Sequence, residues 1–336
     1  MYDTPEESAT GQVRDVHCGP QLEDQVTPSS AVASAIRFRY ELMPLLYSLH
    51  IDASINGVPI VRPYCYCFQD DDQSNACWTE GESFMLGSSL LVANVLRPNK
   101  ETGNVHTVYL PRTSVLEKEN GWYDFWTGQC YSGGQHLKYR LHGLSHIPLF
   151  LRAGGIVPLI MSPNPLNIRS SRDRAEALRF LVTTLQPCKR FTLYKEEDRA
   201  ITFSTSISDD LVELQACHVR SDDYKEYVFE FFVESVPSSF NFQYEGRASG
   251  KGAKSVYLAS SSSSLSKEEN MSKLPMFLNR SELNGSKIGG WFFDMSGARV
   301  VVRIPSSEIK FNDTDDDHEC NFVVRVSFNM FDLIGM

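Results

Sequence analysis

No Cys-x-x-Cys pair occurs in these 336 residues, no window approaches the roughly 20 unbroken apolar residues of a membrane span, and basic charge is in deficit. Each absence excludes something. The eight cysteines (Cys18, Cys65, Cys67, Cys77, Cys130, Cys188, Cys217 and Cys320) are spread thinly. Cys65 and Cys67 alternate along a strand-like run, so both point to one face, and a metal there lacks a fourth ligand. Buried thiols behaving as small hydrophobes are the better reading, and neither metal nor cofactor is expected. Lys and Arg number 32 against 42 Asp and Glu, a formal charge of −10. That balance lacks the basic face of a nucleic-acid binder, and it suits a neutral or cationic ligand better than a phosphorylated one. The opening MYDTPEESATGQVRD has no apolar stretch, so it is not a signal peptide.

What is present is an ordinary globular composition, 42% hydrophobic, 22% charged and 11% aromatic. The length suits two or three domains. Four Asn-x-Ser/Thr sequons, at Asn270, Asn279, Asn284 and Asn312, lean towards the secretory pathway; any targeting signal would lie upstream.

From Pro28 to about Ile55 the pattern is helical. Thr27 is a natural N-cap with Pro28 at the first helical position. Ala35, Phe38, Leu42, Leu45, Leu46 and Leu49 recur at helical spacing, and Asn56-Gly57 supplies a left-handed stop. Pro44 falls mid-pattern, where its missing N–H and crowded ring cost about 3 kcal/mol in a helix interior. The helix is therefore expected to bend there.

After Gly57 the character becomes β. VPIVRPYCYCF, FMLGSSLLVANVL, HTVYLPR, GWYDFWTG, HLKYRL and IPLFLRAGGIVPL are short β-branched and aromatic runs separated by turn residues. No helical runs intervene, which favours a sandwich over a parallel α/β sheet. SPNPLNIRSSRDR reads as a linker. A second set of strand-like runs extends from LRFLVTTL to CNFVVRVSF, interrupted by the low-complexity insert 259–273. The acidic FNDTDDDHEC fits no EF-hand spacing and reads as a hairpin end.

RYELMPLLYSL followed by NGVPIVRPYCYCFQDD resembles glycoside hydrolase family 31, the α-glucosidase and α-xylosidase family. The matching positions are Arg39, Tyr40, Leu42, Pro44, Tyr47 and Leu49, then Gly57, Pro59, Arg62, Pro63, Phe68, Asp70 and Asp71. The likeness runs on through FMLGSSLLVANVL, VYLPR, GWYDFWTGQCYSGGQ and IPLFLRAGGIVPL, covering about residues 37–160. Further on, RFTLYKEEDRAITF and LNGSKIGGWFFDMSGARVVVRIP resemble pieces of the family's distal β-domain.

The resemblance implies a mainly β chain of two β-sandwich domains, proximal and distal, preceded by the last helix of an otherwise missing (β/α)8 barrel. The expected parts are a barrel remnant with a kinked helix at 1–56, a proximal sandwich at 57–161, a linker at 162–174 and a distal sandwich at 175–336. It also implies a retaining α-glycosidase acting on α-linked oligosaccharide or glucan, with its two catalytic aspartates on barrel strands. About 36 residues precede Arg37, too few for a barrel of about 250. No catalytic residue is therefore assigned in this chain, and the missing barrel is the expected structural partner.

One substrate contact is carried over. His17, in VRDVHCGP, falls where the family has a sugar-binding histidine, although Arg14 is offset by one position; a histidine in a frayed terminus is the alternative. Trp122, Tyr123, Phe125 and Trp126 read as packed core rather than a sugar platform, with Trp122 and Trp126 on one strand face and Tyr123 and Phe125 on the other. Asp70 to Asp72 read as a turn. Phe38, Leu42, Leu45 and Leu49 are expected to face absent barrel strands, so that removing residues 1–55 should raise solubility. A non-catalytic carbohydrate-binding or pseudoenzyme sandwich remains the alternative.

Overall fold

A computed structural model describes residues 27–69, 81–96, 104–114, 116, 120–141, 146–161, 177–188, 190–208, 211–220, 223–233, 253–259, 272–294, 299–309 and 320–328. His17, Asp70 to Asp72, the segment 162–174 and most of the low-complexity insert lie outside those residues.

The helical segment is two helices, α1 (Pro28–Glu41) and α2 (Met43–Asn56). The Thr27 side chain accepts a hydrogen bond from Ser30 N–H, satisfying one of the donors that a helix start leaves orphaned. Leu42 joins the helices at φ −76°, ψ −1°. Pro44 thus occupies the first turn of α2, where a missing N–H costs no intrahelical bond. Gly57 ends α2 at φ +69°, the left-handed conformation that glycine adopts without a Cβ penalty.

The β region forms two sandwiches. The first has a six-stranded sheet in the order β1-β2-β3-β8-β5-β6 and a two-stranded sheet β4-β7. These strands are β1 (Val61–Arg62), β2 (Ser83–Leu86), β3 (Leu90–Ala93), β4 (Val105–Leu110), β5 (Gly121–Asp124), β6 (Cys130–Ser132), β7 (Gln135–Arg140) and β8 (Leu149–Arg152). Between the sheets lie Tyr64, Met85, Leu91, Tyr109, Trp122 and Phe150, all buried.

The second sandwich pairs a five-stranded sheet, β17-β18-β14-β10-β9, with a six-stranded one, β11-β12-β13-β19-β15-β16. Its strands are β9 (Ile156–Met161), β10 (Ala177–Thr183), β11 (Phe191–Glu196), β12 (Arg199–Ser208), β13 (Leu211–Cys217), β14 (Glu226–Phe232), β15 (Ala253–Ala259), β16 (Ser272–Lys273), β17 (Gly290–Asp294), β18 (Arg299–Pro305) and β19 (Cys320–Phe328). Phe180, Phe203, Tyr227, Phe229 and Phe322 fill its centre, with ring centroids from 4.7 to 6.5 Å apart, the range of offset and edge-on aromatic pairs.

Three expectations change. Cys65 and Cys67 lie on a short helix, α3 (Tyr64–Cys67), because four residues are too few for alternation to distinguish strand from helical turn. IPLFLRAGGIVPL splits at Ala153–Gly155 into β8 and β9, which belong to different sheets; Gly154 takes the turn at φ +73°. The largest change concerns the helical stripe. Leu42 and Leu45 are 7% and 2% exposed, and Phe38, Leu46 and Leu49 pack partly buried beside them. They meet Leu90, Val92 and Leu151 of the first sandwich and Val157, Leu159 and Phe232 of the second. The helices fill the seam between the two sandwiches, so the stripe needs no barrel strands. Each buried Leu is worth about 1.5–3 kcal/mol, and removing residues 1–55 would uncover this core.

The face left open is a different one. Val32, Ile36, Tyr40 and Met43, spaced four, four and three apart, are 59%, 45%, 36% and 41% exposed.

Candidate functional site

Buried carboxylates are the natural place to look for acid–base chemistry, and three are described. Asp124 closes the turn after β5: its Oδ1 accepts from Trp126 N, Thr127 N and Thr127 Oγ1 at 2.7–2.9 Å. Burial nevertheless pushes its pKa up, against those hydrogen bonds. Asp223 accepts from Lys195 Nζ at 2.8 Å, from Arg199 and from Arg220 N at 2.7 Å, pinning the β11–β12 hairpin. Glu230, on β14, is bonded by Arg280 at 2.8 Å and Arg299 at 3.0 Å, with Arg179 at 3.8 Å. Burial pushes its pKa up, but the three arginines outweigh that and hold it below the ordinary glutamate range. Each carboxylate is thus engaged by structural donors through at least one oxygen, while Asp124 Oδ2 is buried without a hydrogen-bond partner among the described residues. Among the described residues no group of three or more His, Cys, Asp or Glu is placed to hold a metal.

The aromatic run is core. Trp122 and Tyr123 have no exposed surface and Phe125 is 6% exposed; Trp122 Nε1 donates to Pro111 O at 2.7 Å. Trp126 departs from the alternation. The Asp124 turn carries it beyond β5, where it packs on Phe38 and Phe125, on the helix side. Cys65 and Cys67 are free thiols; Cys217 is disulfide-bonded.

A concave polar site exists elsewhere, in a cleft of about 530 Å³ where α2 meets both sandwiches. That size lies within the range of small-molecule sites, about 300–1,000 Å³. α2 contributes Ser48, Asp52 and Asn56; the β2–β3 turn contributes Ser88 and Ser89; the start of β11 contributes Arg190, Thr192 and Tyr194. Leu45, Leu49, Val58 and Phe191 add apolar patches, and Arg62 one more cation.

Its walls are built by specific contacts. Ser48 Oγ donates to Pro44 O at 2.7 Å and accepts from Tyr194 N at 3.0 Å, stitching α2 to β11. Asn56 Nδ2 donates to Asp52 Oδ1 at 2.7 Å, and Arg62 lies 4.0 Å from the other Asp52 oxygen. Gly87, at φ +63°, leaves room for Leu49: a Cβ there would lie 2.7 Å from a Leu49 methyl. The β2–β3 turn therefore approaches α2 more closely than any other residue would allow. Sequence reasoning missed this cleft. Its residues come from three segments far apart in the chain, and no local motif joins them.

The comparisons with known proteins bear on the same elements. The model of the glycosyl hydrolase family 31 C-terminal domain matches residues 57–157. A probable glucan 1,3-alpha-glucosidase of Oryza sativa subsp. japonica is 38% identical over 130 residues, 39% of this chain and 13% of the relative. An alpha-xylosidase of Saccharolobus solfataricus is 36% identical over 128 residues, 37% of this chain and 15% of the relative. Among solved structures, a GH31 dextranase of Flavobacterium johnsoniae, complexed with glucose, superposes over 90% of this chain and 33% of its own. Its TM-score is 0.61 at 19% identity, which speaks for the shared fold. The chain spans less than a sixth of the length of those two curated relatives, and its residues 57–157 are similar to the C-terminal domain of glycoside hydrolase family 31.

Proposed function

We propose that this chain is the C-terminal part of a retaining α-glycosidase that hydrolyses terminal α-linked glucose or xylose, and that it has no hydrolytic activity in isolation. The family match over residues 57–157 carries this reading. Double displacement needs a nucleophilic and an acid/base carboxylate about 5–5.5 Å apart, and the three buried carboxylates described above are held by arginines, a lysine and, through one oxygen of Asp124, turn donors. As the family resemblance implies, the catalytic pair is proposed to lie upstream of this chain, on the barrel. The exposed stripe of Val32, Ile36, Tyr40 and Met43 supports a barrel-facing role for the outer side of α1, since an exposed contiguous apolar face marks an interaction surface. His17 is retained as a proposed contact to the sugar of the full enzyme. The disulfide at Cys217 and the exposed sequon residues Asn279 and Asn284 support an oxidising secretory compartment.

The test is a hydrolysis assay with p-nitrophenyl α-glucoside and α-xyloside, on the isolated chain and on the native polypeptide captured with an antibody to residues 180–336. Turnover by the native polypeptide alone is the expected result. Turnover by the isolated chain, or by neither, would overturn the reading, the second in favour of a non-catalytic carbohydrate-binding or pseudoenzyme role.

A further inference from the structure

The cleft between α2, the β2–β3 turn and β11 holds an unusual surplus of uncommitted polar groups. Among the described residues, the hydroxyls of Ser88, Ser89, Thr192 and Tyr194 bond to no protein atom, and the Arg190 guanidinium has no carboxylate partner. Ser89 is nevertheless buried, 7% exposed, and the Arg62 side chain is 11% exposed, held by Pro59 O at 2.7 Å, the long Asp52 contact and the Tyr66 ring 6.0 Å away. Hydroxyls donate and accept, guanidinium groups only donate, and the Asp52 carboxylate only accepts. A ligand matching this set carries many groups that do both, on a frame with apolar faces for Leu45, Leu49 and Phe191.

The geometry points to a saccharide-binding site in this cleft, taking an α-linked gluco-oligosaccharide. Arg190 and Tyr194 bind the sugar hydroxyls, with Ser88, Ser89 and Thr192 completing the polar wall. The hydroxyl-rich ligand follows from the lining; the choice of α-linked glucose rests on the α-glycosidase reading. An anion is the poorer fit, because Asp52 opposes Arg62 and only Arg190 remains uncompensated. Since α2 and both sandwiches contribute walls, occupancy would brace the seam that the helices fill.

Titration calorimetry of the full 336-residue chain with maltotriose tests this, with thermal unfolding as the control for folding. Saturable binding in the ~1 mM range is expected. Tyr194→Phe and Arg190→Ala should each weaken it by about fivefold or more with the unfolding midpoint unchanged. No saturable binding, binding indifferent to both variants, or displacement of maltotriose by inorganic phosphate would each overturn the site. Equal affinity for the β-linked cellotriose would overturn the α-linked choice. The readout is binding and needs no barrel, so failure of the site and failure of the glycosidase reading are separable.

Discussion

Glu230 has no exposed surface and faces Arg179, Arg280 and Arg299. Arg299 also donates to the backbone oxygens of Phe125 and Trp126, at 2.8 and 3.3 Å, and Arg179 lies 3.9 Å from Glu41 of α1. One carboxylate therefore anchors a network that reaches the second sandwich, the first sandwich and the helices. Breaking a buried pair by removing one partner costs about 3–5 kcal/mol, and Glu230→Gln should lower the urea midpoint accordingly. The pH dependence follows from the direction of the shift. The folded pKa lies below the ordinary unfolded value of about 4.3. The stabilisation is therefore complete above that pH and is lost as pH falls through the lower folded value. The gap between wild type and Glu230→Gln should stay constant from neutral pH down to about 5 and narrow below about 4. A gap that widens on acidification would contradict this. Sequence reasoning takes YVFEFFV as a strand and does not single out Glu230. Its three arginines arrive from β10, α4 (Arg280–Gly285) and β18, so no local pattern joins them to it.

At the scale of elements, the helix pair separates two readings of Pro44. A proline interrupting a helix interior would cost about 3 kcal/mol, and its replacement by Ala would stabilise the chain. In the first turn of α2 it instead restricts the unfolded chain at no cost to the fold, so Pro44→Ala should destabilise by about 0.4–1 kcal/mol. The two faces of the pair make a second contrast. Leu45→Ala empties a packed site and should cost about 2–5 kcal/mol. Ile36→Ala, on the open face, should stay within about 0.5 kcal/mol in the isolated chain. Equal losses would mean that the inner and outer faces have been confused. Cap, stop and bend were legible because Thr27, Gly57 and Pro44 act through local backbone chemistry. The partner of the inner stripe was not. Helical periodicity names the buried face without saying what covers it, and the cover here comes from β strands 45 to 190 residues further along the chain.

At the scale of the whole molecule, two sandwiches share one helix pair, and period-two patterning announced most of the strands. Patterning could not decide which strands share a sheet. β9 follows β8 after a three-residue turn, yet β9 pairs with β10 of the second sandwich, Val157 opposite Leu181, while β8 pairs with β3 and β5 of the first. The cleft has the same origin: it exists only where α2, the β2–β3 turn and β11 converge. On the proposed reading, this chain completes a larger catalytic polypeptide. The most direct measurement is the mass of the native protein in source cells, by immunoblot with an antibody to residues 180–336. A band heavier than the 38.0 kDa chain by at least ~28 kDa, the mass of a barrel of ~250 residues, is expected. A sole band at the mass of this chain would contradict it.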